Sequence, residues 1–120
     1  MEVEKVDFLS VHTTDVDRSR RFYLETLGLP LSTDRGHGFE VWAGQLCLSI
    51  WNPTSGGMDL GPSPAHVALN VGDVAAARAE LEAKGVEFVH PAEDHGYGFV
   101  THMKVPGGFK VQLYQPKYAK

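Results

Sequence analysis

The chain spells one pattern twice, and that repeat limits what it can fold into. Laying "FLSVHTTDVDRSRR" (8–21) over "HVALNVGDVAAARA" (66–79) puts Asp15 on Asp73, Val16 on Val74 and Arg20 on Arg78. Each run then reaches a glycine, Gly28 or Gly85. "LSIWNP" (48–53) laid over "VQLYQP" (111–116) ends both times in an aromatic, an amide and a proline. An internal repeat of this size points to two copies of one supersecondary unit. Each half reads as strand, helix, then strands ending at a proline.

Local signals fill in the unit. Residues 6–12 and 65–71 are β-rich runs. Asp15 and Asp73 suit N-caps, because a carboxylate accepts from the orphan N–H groups of a first helical turn. The helices are predicted over 16–27, with Val16, Phe22, Tyr23 and Leu27 buried, and over 74–84, with Val74, Ala77 and Leu81 buried. Gly28 and Gly85 fall where a C′ residue needs a positive φ. "GLPL" and "GVEFV" open the second strand of each half, and later strands fall near 38–43, 46–51, 99–104 and 109–115. The expected fold is α+β: two βαβββ modules forming curved mixed sheets with helices on their outer faces. The boundaries are about 5–53 for the first module, 54–64 for a Gly/Pro-rich linker and 65–116 for the second, all in one domain. "HPAEDHGYG" (90–98) is a second loop and a candidate lid.

Strand alternation sorts the faces. Leu9 and Val11 oppose Phe8, Ser10 and His12. Leu46, Leu48 and Ile50 oppose Cys47, Ser49 and Trp51. Val67, Leu69 and Val71 oppose His66, Ala68 and Asn70, and Val111 and Leu113 oppose Lys110, Gln112 and Tyr114. The aliphatic faces should pack on the helices. The other faces mix aromatic, polar and ionisable groups, which suits a concave ligand site. A wet face or a dimer interface is the plainer alternative.

Totals exclude several classes. Among 120 residues, 15 acidic against 11 basic side chains give a net charge of −4. That disfavours nucleic acid, which needs a basic face. No apolar run is long enough for a membrane span, and "MEVEKVDF" lacks a signal-peptide layout. Cys47 is the single cysteine, so neither an internal disulfide nor a multi-cysteine zinc site can form. A cytoplasmic location is expected.

Three motifs carry a family resemblance. "DVDRSRRFYLETLGLPL" (15–31), "AHVALNVGDVAAARAELEAKGVEF" (65–88) and "VPGGFKVQLYQP" (105–116) are similar, in order and spacing, to those of the vicinal oxygen chelate superfamily, which includes glyoxalases, bleomycin-resistance proteins and extradiol dioxygenases. The resemblance implies this fold and a small-molecule ligand. It also implies four positions that hold a divalent metal in the superfamily's enzymes: here Phe8, Ser49, His66 and Gln112. Of these only His66 is an ordinary ligand, so the chain is expected to use no metal cofactor. Two alternatives stay open, a divalent metal through His66 and Gln112, or one through His12, His66 and His102, serving a lyase, isomerase or dioxygenase.

The expected function is metal-free binding of an aromatic or planar organic molecule. The lining would be Phe8, Ser10, His12, Ser49, Trp51, Asn70, His102, Gln112 and Tyr114, with no carboxylate and with Lys110 as its cation. His66 is the candidate acid–base residue. His90 and His95 are read as solvated loop residues, Arg20 and Arg21 as surface charges, and Cys47 as an inert packing residue. A homodimer is the expected assembly, because open sheet edges invite a second copy.

Overall fold

The computed structural model describes residues 1–54, 67–106 and 110–117. The chain divides into two compact units, Met1–Ser63 and Pro64–Lys120. In the first, strands β1 (Leu9–His12), β2 (Leu31–Asp34), β3 (Gly38–Ala43) and β4 (Leu46–Trp51) make one sheet in the order β1-β4-β3-β2. In the second, β5 (Val67–Asn70), β6 (Glu93–Asp94), β7 (Gly98–Lys104) and β8 (Lys110–Pro116) repeat it as β5-β8-β7-β6. Helices α1 (Val16–Arg20) and α2 (Val74–Ala83) follow the first strand of each unit. This is the predicted α+β architecture of two βαβββ modules. Among the described residues, no helix is long and apolar enough to cross a membrane.

A strand that pairs parallel with its partner needs a crossover, which the helix supplies. β1 runs parallel to β4 and β5 parallel to β8, while the neighbouring pairs are antiparallel. Val11, Phe39, Val41, Leu48 and Ile50 are buried on the helix side of the first sheet, with Phe22 and Tyr23 from the helical segment. Val67, Val111, Leu113 and Met103 do the same in the second, with Val74 and Leu81 from α2. Burying such side chains contributes roughly 1.5–3 kcal/mol each.

Both predicted N-caps are present. The Asp15 and Asp73 carboxylates accept from the N–H groups of Arg18 and Ala76, each at 3.0 Å. The first helix departs from its prediction. Only Val16–Arg20 is α-helical, and Arg21–Thr26 continues as a π-helical turn closed by Leu27 N–H on the Phe22 carbonyl. A wider turn lessens the angle between successive side chains, which lets sequence neighbours Phe22 and Tyr23 both enter the core. Ser19 is buried as well, its Oγ donating to Thr13 Oγ1 at 2.8 Å, whereas predicted Val16 and Leu27 are only half-buried. The Tyr23 hydroxyl has no hydrogen-bond partner among the described residues, and burial pushes its phenol up.

The second strand of the second unit also departs. "GVEFV" was expected to start it, yet this stretch makes only a bridge from Phe88 to Met103, and β6 begins at Glu93. Pro91 has no N–H and favours an extended predecessor, so the ladder is interrupted there. The segment at 90–98, read as a loop, is thus partly strand. It contains β6 and a tight turn in which Asp94 accepts from Gly96 N–H at 2.9 Å. Asp34 and Gly36 make the same turn in the first unit. "DRGHGF" (34–39) and "DHGYGF" (94–99) are thus a third matched stretch of the two-copy repeat. Gly36 N–H, then Arg20, holds the Asp34 carboxyl below its usual range; Lys117, then Gly96 N–H, does so for Asp94. A carboxylate with a lowered folded-state pKa stabilises the fold above its unfolded pKa. That contribution is lost as pH falls through the folded value.

The second glycine of each copy is a packing requirement. A Cβ on Gly38 would lie 2.8 Å from Trp51 Cβ and 3.0 Å from the Ile50 carbonyl. On Gly98 it would lie 2.6 Å from both the Gln115 carbonyl and the Tyr114 ring. Overpacking of this kind typically costs about 1–3 kcal/mol. Gly98→Ala should be the more damaging of the two in urea denaturation, while Gly72→Ala, where a Cβ meets nothing within 4 Å, should change stability by less than ~0.5 kcal/mol. Equal stability of Gly98→Ala and the parent would contradict this packing.

Candidate functional site

The face of each sheet turned away from its helix carries the chemistry, and the strand register decides which groups meet. In the first unit Ser10 pairs with Ser49 and His12 with Trp51 across β1 and β4. Trp51 Nε1–H donates to Ser10 Oγ. The His12 ring meets Trp51 edge to face, with centroids 5.6 Å apart. Trp51, His12, Ser10 and Ser49 thus form one half-buried patch, as predicted from alternation. Phe8 lies just before β1 and is 47% exposed; Ser10, not Phe8, faces Ser49.

The expectation of a face without carboxylate is wrong. Glu40 of β3 pairs with Ser49 and shares its face. Its Oε1 accepts from Arg35 at 3.2 Å, and its Oε2 receives the Cys47 thiol at 3.5 Å. The alternation of Phe39 and Val41 against Glu40 and Trp42 carries the sequence signal for Glu40 on this face. Arg35 reaches this face from the β2–β3 turn, so the first unit's face carries a cation of its own. The Lys110 side chain lies outside the described residues.

Cys47 is 5% exposed. Burial, then the hydrogen bond to Glu40 and its charge, pushes the thiol up. A thiolate beside a carboxylate is disfavoured twice, so this cysteine is a poor nucleophile. That supports the inert reading.

The second unit places Asn70 opposite Tyr114, and Gln112 opposite both Ala68 and His102. Tyr97 tilts against Tyr114 at 6.1 Å and stacks on His95 at 5.7 Å. Tyr114, Gln112, Asn70 and His102 therefore share one face, as predicted. His66, the candidate acid–base residue, lies outside the described residues. His90 is not simply solvated: its Nε2 lies 2.7 Å from His102 Nδ1, and its Nδ1 lies 2.7 Å from the Pro91 carbonyl and 3.2 Å from Glu93. Arg20 and Arg78, matched in the repeat, are structural. Arg20 binds Asp34 and the Gly36 carbonyl. Arg78 binds the His90 carbonyl and Thr101.

The superfamily's metal positions can be tested against these donors. Phe8 has no donor atom, Ser49 is neutral and weakly basic, and Gln112 offers an amide. Glu40, paired with Ser49 across the ladder, is already bonded to Arg35 and Cys47. With His66, the fourth position, outside the described residues, these groups do not supply the three or more strong ligands that a divalent centre uses. Among the described residues, no three His, Cys, Asp or Glu side chains are grouped to hold a metal ion.

Comparison with known proteins fits this architecture. The family model for the Glyoxalase/Bleomycin resistance protein/Dioxygenase superfamily matches residues 5–113, and the chain belongs to that superfamily. A probable lactoylglutathione lyase of Vibrio parahaemolyticus is 28% identical, over 88% of this chain and 86% of its own. The structure of TnmS3, an antibiotic binding protein from Streptomyces, is 27% identical, with a TM-score of 0.79 over 98% of this chain and 99% of its own. The lactoylglutathione lyase from Agrobacterium tumefaciens shares the fold at 16% identity, with a TM-score of 0.76 over 96% of each chain.

The Glu40–Cys47 contact makes a prediction. A disulfide reagent at pH 8 should modify Cys47 far more slowly in the folded protein than in urea. Glu40→Gln removes the opposing charge and should speed the folded-state reaction several-fold. Equal rates in parent and variant would show that access alone protects the thiol.

Proposed function

We propose that this chain is a metal-free binding protein for a small, planar, largely uncharged organic molecule. The observation that carries the reading is the mismatch at the metal positions: Phe8, Ser49 and Gln112 stand where ligands belong, on sheet faces built from aromatic and polar side chains. Trp51 and Tyr114 supply contact area, and Asn70 and Gln112 supply orienting hydrogen bonds. The resemblance to an antibiotic binding protein supports sequestration; the resemblance to a lyase is offset by the donor set. Protein purified without chelator or affinity tag should hold far less than one Zn, Ni, Fe or Mn per chain by elemental analysis. Near-stoichiometric metal that disappears in His66→Ala would overturn the metal-free reading.

Ligand binding should depend on aromatic contact more than on charge. Burying a large aromatic surface is worth roughly 1.5–3 kcal/mol, whereas an exposed charge contact is worth about 0–1 kcal/mol and fades with salt. In calorimetry on hits from a thermal-shift screen, Trp51→Ala should weaken binding at least tenfold, about 1.4 kcal/mol, with little salt dependence. Lys110→Ala should do less. Hits that are highly charged anions released by salt would contradict the reading.

We also propose a homodimer. β1, β2, β5 and β6 end their sheets, and open edges favour pairing. Light scattering that gives a monomer mass at tens of micromolar, roughly the range in which standard-size interfaces persist, would rule it out.

A further inference from the structure

The hairpin of the second unit runs past the point where that of the first unit ends. In the first unit Gly38 pairs with Trp51, the last residue of β4. In the second, Val100 pairs with Tyr114, the matched aromatic, and the ladder continues through Phe99 with Gln115 and Gly98 with Pro116. The β6–β7 turn therefore overhangs Tyr114. Tyr97 stands in that turn, where the repeat has His37 in the first unit.

Gly98 lets two aromatic rings meet. A Cβ there would lie 2.6 Å from the Tyr114 ring, so that ring lies along bare glycine backbone. It reaches Tyr97 with 6.1 Å between centroids and 56° between planes. Tyr114 belongs to the open face with Gln112 and Asn70, so Tyr97 prolongs that face.

The turn is held firmly. Asp94 accepts from Gly96 N–H at 2.9 Å and from Lys117 Nζ at 2.7 and 2.8 Å. Lys117 N–H donates to the Tyr97 carbonyl and His95 N–H to the Gly98 carbonyl, each at 3.0 Å. The Lys117 ammonium also sits over the Phe99 ring, 4.9 Å from its centroid. The His95 ring backs Tyr97, stacked at 5.7 Å with 21° between planes. Tyr97 is nonetheless 51% exposed. A large ring that is fixed in place yet half uncovered can gain a contact with little loss of loop freedom.

We propose that Tyr97 is a ligand-contacting residue that makes the open face of the second unit select uncharged aromatic molecules of several fused rings over those of one ring. This deepens the binding function proposed above and rests on it. A single ring beside Gln112 and Asn70 is held without Tyr97. A longer flat molecule, laid along the face toward Tyr114, extends to Tyr97 and buries part of its exposed surface. The occupant follows from continuity, because Tyr97 abuts a residue of the open face. Its neighbours on the turn, Glu93, Asp94 and Lys117, are charged, which favours a small flat ligand over the apolar core of a protein interface.

The test uses the whole chain with two probes: acridone, which has three fused rings, and 4-pyridone, which is its central ring alone. Binding is read by calorimetry and by ring-proton NMR titration. Acridone should bind the parent at least roughly tenfold more tightly than 4-pyridone, because it buries more apolar surface, and should shift the Tyr97 ring protons. Tyr97→Ala should weaken acridone roughly threefold to tenfold, the size of one aromatic contact. It should change 4-pyridone by less than about twofold, within the effect of a substitution that removes no contact. Tyr97→Phe keeps the ring and should restore acridone binding to the parent level. Acridone binding that is unchanged in Tyr97→Ala, or an equal loss of both probes, overturns the role of Tyr97 and leaves the binding function standing. Failure of both probes to bind the parent overturns the two together.

Discussion

Parallel pairing of the first and last strands of each unit sets every contact on the open faces. It requires a crossover, and the helix that makes the crossover must bury one side of the sheet. Val11, Leu48 and Ile50 are committed to that side in the first unit. With a side-chain period of two, Ser10, Ser49 and Trp51 then have no choice of face. The register Ser10 to Ser49 and His12 to Trp51 follows, and with it the indole hydrogen bond. The second unit obeys the same constraint through Val67, Val111 and Leu113, which turns Asn70, Gln112 and Tyr114 the other way.

The superfamily's scaffold is kept here while Phe8, Ser49 and Gln112 stand at its metal positions. Core residues and caps specify the scaffold, and these are intact in both units. Ligand positions carry no packing role, so Phe8 and Ser49 can stand there without disturbing the sheet. The open faces carry aromatic surface and hydrogen-bonding groups, the kind of lining that suits a small organic molecule.

Most of the scaffold was legible because repeat, alternation and capping agree with one another. Asp15 and Asp73 announce their helices, and Leu46–Trp51 alternates cleanly. What stayed hidden depends on contacts between segments. Phe22 and Tyr23 enter the core as expected, but no pattern within 16–27 reveals the π turn that carries both inward. Glu40 looks like any surface glutamate until β3 is set against β4 and it faces Ser49. His90 reads as a loop residue because its partner, His102, is twelve positions away and is reached only after Pro91 breaks the ladder.

Glu40 and Glu93 show how the same side chain does opposite work on two related sheets. Glu40 Oε2 receives the proton of a buried thiol, so its charge keeps Cys47 protonated and quiet. Glu93 Oε1 instead lies 3.2 Å from the ring nitrogen Nδ1 of His90. The difference lies in the neighbour: a thiol becomes negative when it loses its proton, and an imidazole becomes positive when it gains one. A carboxylate opposes the first change and favours the second. The open face of the first unit therefore sets its carboxylate against a thiol, and that of the second sets one beside an imidazole.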